Sequence, residues 1–110
     1  MFDMGSSGRP NLAPLELNEV EHDGVRLRFK GVLRLQPRIS RRNPQFLRIE
    51  DPSLGLDAFA GTLSDLLDEV AEDLVVVWKN YAMAPDGKLS PKALELKRRL
   101  IEAVEEVAGL

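Results

Sequence analysis

A chain of 110 residues, 44% of them hydrophobic and 30% charged, has the makings of one globular domain, because two separate cores would be too small to hold themselves together. Its net charge of -3 gives no general attraction to nucleic acid or anionic lipid, and the lack of cysteine excludes disulfides, thiolate metal sites and cysteine nucleophiles. No apolar run approaches the roughly 20 residues that cross a bilayer. Met1 to Pro14 has neither the basic start nor the apolar centre of a signal peptide, so a cytoplasmic protein with no membrane partner is expected.

Residues 1–14 are rich in Gly, Ser, Pro and Asn without a hydrophobic period, and read as a flexible tail. Within them Gly5-Ser6-Ser7-Gly8 has the composition of a vector-derived linker and is set aside. A single α+β domain is expected over 15–110. Asp23-Gly24 is a two-residue hairpin signal, since a type I′ turn needs positive φ at both central positions. After it, Val25, Leu27, Phe29, Leu33 and Leu35 alternate with Arg26, Arg28, Lys30 and Arg34, which predicts a strand with one core face and one basic face. Gly31 interrupts it where a bulge is expected. Pro37 to Pro44 is a loop carrying Arg38, Arg41 and Arg42. Gln45 to Glu50 resumes a strand with Leu47 and Ile49 inward. Asp51-Pro52-Ser53 turns the chain, and Leu54, Leu56, Ala58 and Ala60 alternate again. The short links favour an antiparallel meander.

From Thr62 the period changes. Leu63, Leu66, Leu67, Val70, Leu74, Val77, Trp78 and Tyr81 recur at three- and four-residue steps, one face of a helix. Thr62 is placed to cap its first turn, with Asp65 completing a capping-box-like pair. Pro85-Asp86-Gly87 ends the segment, and Ser90-Pro91 starts a second helix with the stripe Ala93, Leu96, Leu100, Val104 and Val107. Glu95 with Arg99, and Arg98 with Glu102, are i,i+4 pairs on its wet side. The fold expected is a three- to four-stranded antiparallel sheet packed with two C-terminal helices.

The stretch from Ile49 to Leu74, IEDPSLGLDAFAGTLSDLLDEVAEDL, resembles the core of HicB-like antitoxins. In that family a strand ends in an acidic residue and proline, a Leu-Gly pair opens the next strand, and Gly-x-Thr leads into an amphipathic helix. Asp51-Pro52, Leu54-Gly55 and Thr62 match these places, while Ala60 stands where the glycine is usual and Gly61 follows it. The resemblance covers residues 25–81. It implies a reduced ribonuclease H-like sheet with the first helix across one face, and a protein partner, a small RNA-cleaving toxin, that the chain binds and neutralises. Many members append an operator-binding segment, but the chain after Gly87 offers one helix only, which cannot form a complete helix-turn-helix.

Charge is segregated along the chain. Residues 26–48 contain Arg26, Arg28, Lys30, Arg34, Arg38, Arg41, Arg42 and Arg48 with no acid, and residues 50–73 contain Glu50, Asp51, Asp57, Asp65, Asp68, Glu69, Glu72 and Asp73 with no base. The plain reading is two solvated faces that interact weakly. The functional reading is that Arg26, Arg28, Lys30, Arg34, Arg41 and Arg42 bind an acidic protein or a phosphate backbone. Only Phe46 offers a stacking ring beside these bases, so non-specific nucleic-acid or RNA binding through the strand is the alternative to a protein partner. Catalysis is not expected. His22 is a lone turn histidine, no phosphate loop is present, and Glu50, Asp51 and Asp57, the conceivable metal-carboxylate nuclease set, include ordinary turn chemistry at Asp51-Pro52. No cofactor or metal is expected. Leu94 and Ile101 widen the apolar surface of the second helix and mark a homodimer interface. Trp78 and Tyr81 read as closing the end of the core.

Overall fold

The computed structural model describes residues 12–110, so most of the segment expected to be a tail lies outside the described residues. The elements are β1 (Leu15–His22), β2 (Val25–Leu35), β3 (Arg38–Ile39), β4 (Leu47–Asp51), β5 (Leu56–Ala60), α1 (Leu63–Val77), α2 (Pro91–Ala103) and β6 (Val104–Ala108). The molecule is α+β with antiparallel strands and two helices in its C-terminal half, as the patterning predicts. The strands divide into two three-stranded sheets, ordered β1-β2-β6 and β3-β4-β5.

Asp23 and Gly24 turn β1 into β2 with φ of 52° and 80°, the paired positive values of the expected type I′ turn. Val25, Leu27, Phe29 and Leu35 are buried on one face of β2 while Arg26, Arg28, Lys30 and Arg34 are exposed on the other. Leu17 faces Leu33 but Glu19 faces Arg28, so β2 bulges around Gly31. The links do not form one continuous meander. β2 pairs with β1 and β6, and Gln36 and the buried Pro37 carry the chain over to the second sheet, where proline has no amide to give to a ladder.

The sixth strand corrects the reading of the second helix. α2 ends at Ala103, and Val104 and Val107 belong to β6 rather than to a helical stripe. Phe29 pairs with Val104 and Arg28 with Glu106, leaving Glu105 as one extra residue on β6. That bulge places Val104 and Val107 on the same face despite their three-residue spacing, which imitates a helical period.

α1 packs chiefly on β5 and also reaches β4, β1 and β2, so the inner faces of both sheets share one core with it. Leu27, Ile49, Leu56, Leu66, Leu74 and Leu100 are its most deeply buried large side chains. Each contributes about 1.5–3 kcal/mol relative to exposure. Thr62 caps α1, its Oγ1 accepting the Asp65 amide at 3.1 Å, and Ser90 caps α2, accepting the Ala93 amide at 3.2 Å. After Val77 the chain widens into a π-helical turn, Trp78–Ala82, on which α2 packs, with Trp78 and Tyr81 half-buried against the core. Lys97 fastens α2 to the loop that precedes it by donating to the Ala84 carbonyl at 2.6 Å and to Asp86 at 2.7 Å.

Candidate functional site

With α1 covering the inner face of β3–β4–β5, the outer face of that sheet is open. Register sets its composition. Arg38 stands across from Arg48, Arg48 across from Phe59, and Glu50 across from Asp57. Two carboxylates directly opposed on one face repel each other. Arg48 offsets that repulsion: its Nε and Nη2 donate to the two oxygens of Asp57 at 3.0 and 3.1 Å, and Nη2 also reaches Glu50 at 3.2 Å. The guanidinium lies 5.0 Å from the centre of the Phe59 ring. The hydrogen bond to Asp57, with the charges of Asp57 and Glu50, raises Arg48 above the ordinary arginine range against the opposing effect of desolvation.

Beside this cluster the 40–46 loop closes on itself. The Ser40 amide donates to the Phe46 carbonyl and the Phe46 amide to the Asn43 carbonyl, both at 2.9 Å, and the Gln45 amide donates to Asn43 Oδ1 at 3.1 Å. Ser40 is the one buried polar residue among those described. Its burial anchors the loop and leaves Arg41 and Arg42 exposed above the sheet. Sheet and loop together enclose an open hollow of about 750 Å³ bordered by Arg38, Arg41, Arg42, Arg48, Phe59 and Ile39, with Glu50 and Asp57 also on its wall. Phe59 stays 44% exposed and Phe46, nearby, 43%. Arg38, Arg41 and Arg42 form no ion pair with any of the described residues.

The six bases expected to form one binding face are split between two places. Arg41 and Arg42 border the hollow, whereas Arg26, Arg28, Lys30 and Arg34 lie on the outer side of the first sheet. There the face is mixed rather than basic. Register sets Glu21 opposite Arg26, Glu19 and Glu106 opposite Arg28, and Glu16 opposite Arg34. Arg34 pairs with Glu16 at 3.0 Å and Arg28 with Glu106 at 3.7 Å. The signal was present in the alternating Glu residues before the Asp23-Gly24 turn, which a hairpin must fold back onto the arginines. Phe59 escapes the pattern for a similar reason: alternation along β5 marks its inward residues, and Phe59 occupies an outward position whose neighbours are set only by pairing with β4.

Glu50, Asp51 and Asp57 do not converge. Asp51 accepts the Ser53 amide at 3.1 Å and the Ser53 hydroxyl at 2.6 Å as cap of the following turn, while the other two hold Arg48. Among the described residues no group of three or more acidic or histidine side chains is placed to hold a metal ion. On α1, partial burial pushes Asp73 above the usual carboxylate range, and Glu69 and Glu72 add to the push. Leu94 and Ile101 lie on the outer side of α2 along a groove of about 240 Å³ edged by Lys97, Arg98 and Glu102. Of the two i,i+4 pairs expected there, Glu95–Arg99 forms at 2.6 Å, while Arg98 and Glu102 flank the groove. No described helix is long and apolar enough to cross a membrane.

The fold and the hollow thus define a small α+β domain with a cationic, partly apolar surface. No family model matches the chain, and neither a curated protein nor a solved structure matches it significantly.

Proposed function

We propose that the chain is a protein-binding module whose partner docks on the outer face of β3–β4–β5, and that it is of the antitoxin-like kind implied by Asp51-Pro52, Leu54-Gly55 and Thr62. One observation carries the docking face: Arg38, Arg41 and Arg42, unpaired among the described residues, stand around exposed Phe59 and Ile39. Arginine and aromatic side chains grouped in this way are what protein interfaces concentrate. Nucleic-acid binding through the β2 arginines is the weaker reading, because Glu16, Glu19, Glu21 and Glu106 share their face and would meet a polyanion with like charge.

The test is to look for a small open reading frame beside the gene and to co-express its product with the full chain, the lack of any such frame counting against the antitoxin reading. A co-eluting complex that relieves toxicity is expected, lost on Arg41→Glu with Arg42→Glu while the circular dichroism is unchanged. Free elution with toxicity unrelieved would remove the antitoxin reading. Loss of the complex on Asp68→Lys with Glu72→Lys instead would move the docking face to the acidic side of α1. Self-association through α2 belongs to the same proposal, since Ile101 is 47% exposed. Light scattering should give a dimer mass at micromolar concentration, reverting to monomer in Ile101→Glu. A monomer mass for the unmodified chain over that range would exclude it.

A further inference from the structure

Resting on the protein-binding reading, we infer that the hollow recognises an acidic peptide segment of the partner through two separate carboxylates. Charge count is the first argument. Four arginines against two carboxylates line the hollow, leaving a surplus of two positive charges, which a ligand with two negative charges neutralises. A longer polyanion would overshoot that surplus and meet Glu50 and Asp57. Arrangement is the second. Arg48 is already held by Asp57 and Glu50, so the groups free to bind are Arg38 on β3 and Arg41 and Arg42 on the loop. They come from different points of strand and loop, which suits carboxylates presented separately, as at alternate positions of an extended peptide about 7 Å apart. Aromatic access is the third. Arg48 covers one face of Phe59, so that ring gives a peptide an apolar edge but is a poor platform for stacked bases. The self-bonded 40–46 loop fixes the backbone that carries Arg41 and Arg42, so that on binding only their side chains remain to be ordered.

The test uses the full chain, isotopically labelled, with arginine Nε–H signals read by NMR. The probes are the capped tripeptide Glu-Leu-Glu, its Gln-Leu-Gln analogue, a phosphoserine peptide of the same length and an octauridylate. Saturable shifts at Arg38, Arg41 and Arg42 with the acidic peptide are expected, with affinity about fivefold lower for the amide analogue and about fivefold lower for Arg41→Gln with Arg42→Gln. Unmoved α1 amide signals in that double variant show that the fold is kept. Equal binding of Gln-Leu-Gln would overturn the carboxylate inference and leave the protein-binding reading intact, and tighter binding of the phosphoserine peptide would replace carboxylate by phosphate. Tighter binding of octauridylate would overturn both. No response to any probe at millimolar concentration and low salt would end the inference alone, since co-expression decides the parent reading separately.

Discussion

Gly55 is held by two independent demands. It ends the turn between β4 and β5 at φ +67°, and an added Cβ would sit 3.1 Å from a Leu96 methyl and 3.6 Å from Val77. Gly55→Ala should therefore cost about 1–2 kcal/mol from left-handed strain alone, and more if Leu96 cannot give way, measured by urea melts. Thr62→Ala should lose about 1 kcal/mol in the same assay, because the Asp65 amide is left without its acceptor. Asp73 gives a pH signature. Its carboxyl is raised in the fold by burial, Glu69 and Glu72, so the stabilisation from its proton is full below the unfolded value and is lost as pH rises through the folded one. Asp73→Asn should then gain stability at pH 7 relative to the unmodified chain, the gain shrinking as pH falls through the carboxylate range. A loss at pH 7 would mean that the ionised carboxylate is itself favourable in the fold. Such residue-scale features were legible where a local rule acts alone. Asp23-Gly24, Thr62 and Ser90-Pro91 each solve a problem set by their immediate neighbours. Asp73 was not legible, because its burial depends on how α1 lies against β5.

At the scale of elements, β6 shows why patterning stops short. Strands β2, β4 and β5 and both helices were readable because each keeps one period over several residues. β6 does not, since the bulge at Glu105 turns a two-residue period into the three-residue spacing of Val104 and Val107. Only the open edge of β2, which pairing of distant segments creates, makes a strand of that segment. Gly109 reports on this pairing. It has φ +89°, and a Cβ there would run into the Gly24 carbonyl at the β1–β2 turn. Gly109→Ala should pry the end of β6 from the hairpin. Hydrogen exchange should then show lost protection at Arg26 to Arg28 while α1 amides are unaffected. Unchanged exchange on β2 would mean that β6 is held by Val104 and Val107 alone.

Across the whole molecule, charge that is segregated in sequence is only partly segregated in space. The basic run of residues 26–48 crosses from the first sheet to the second at Gln36-Pro37, so its early half meets the acids of β1 and β6 and its late half surrounds the hollow. The acidic run divides likewise, with Glu50 and Asp57 on the outer face of the second sheet and Asp65, Asp68 and Glu72 on the exposed side of α1. The sheet division was invisible from composition, and it decides which arginines remain available. Two double variants with the same charge change separate the consequences. Arg26→Gln with Arg28→Gln removes cross-strand partners of Glu21, Glu19 and Glu106, all solvated, so stability should fall by under about 1 kcal/mol. Partner binding should be unchanged. Arg41→Gln with Arg42→Gln breaks no ion pair among the described residues, so melting should be unaffected while binding weakens and its salt dependence flattens. Isothermal titration at two salt concentrations distinguishes the pair. If both variants weakened binding equally, the effect would follow net charge alone, and the local geometry of the hollow would have no part in it.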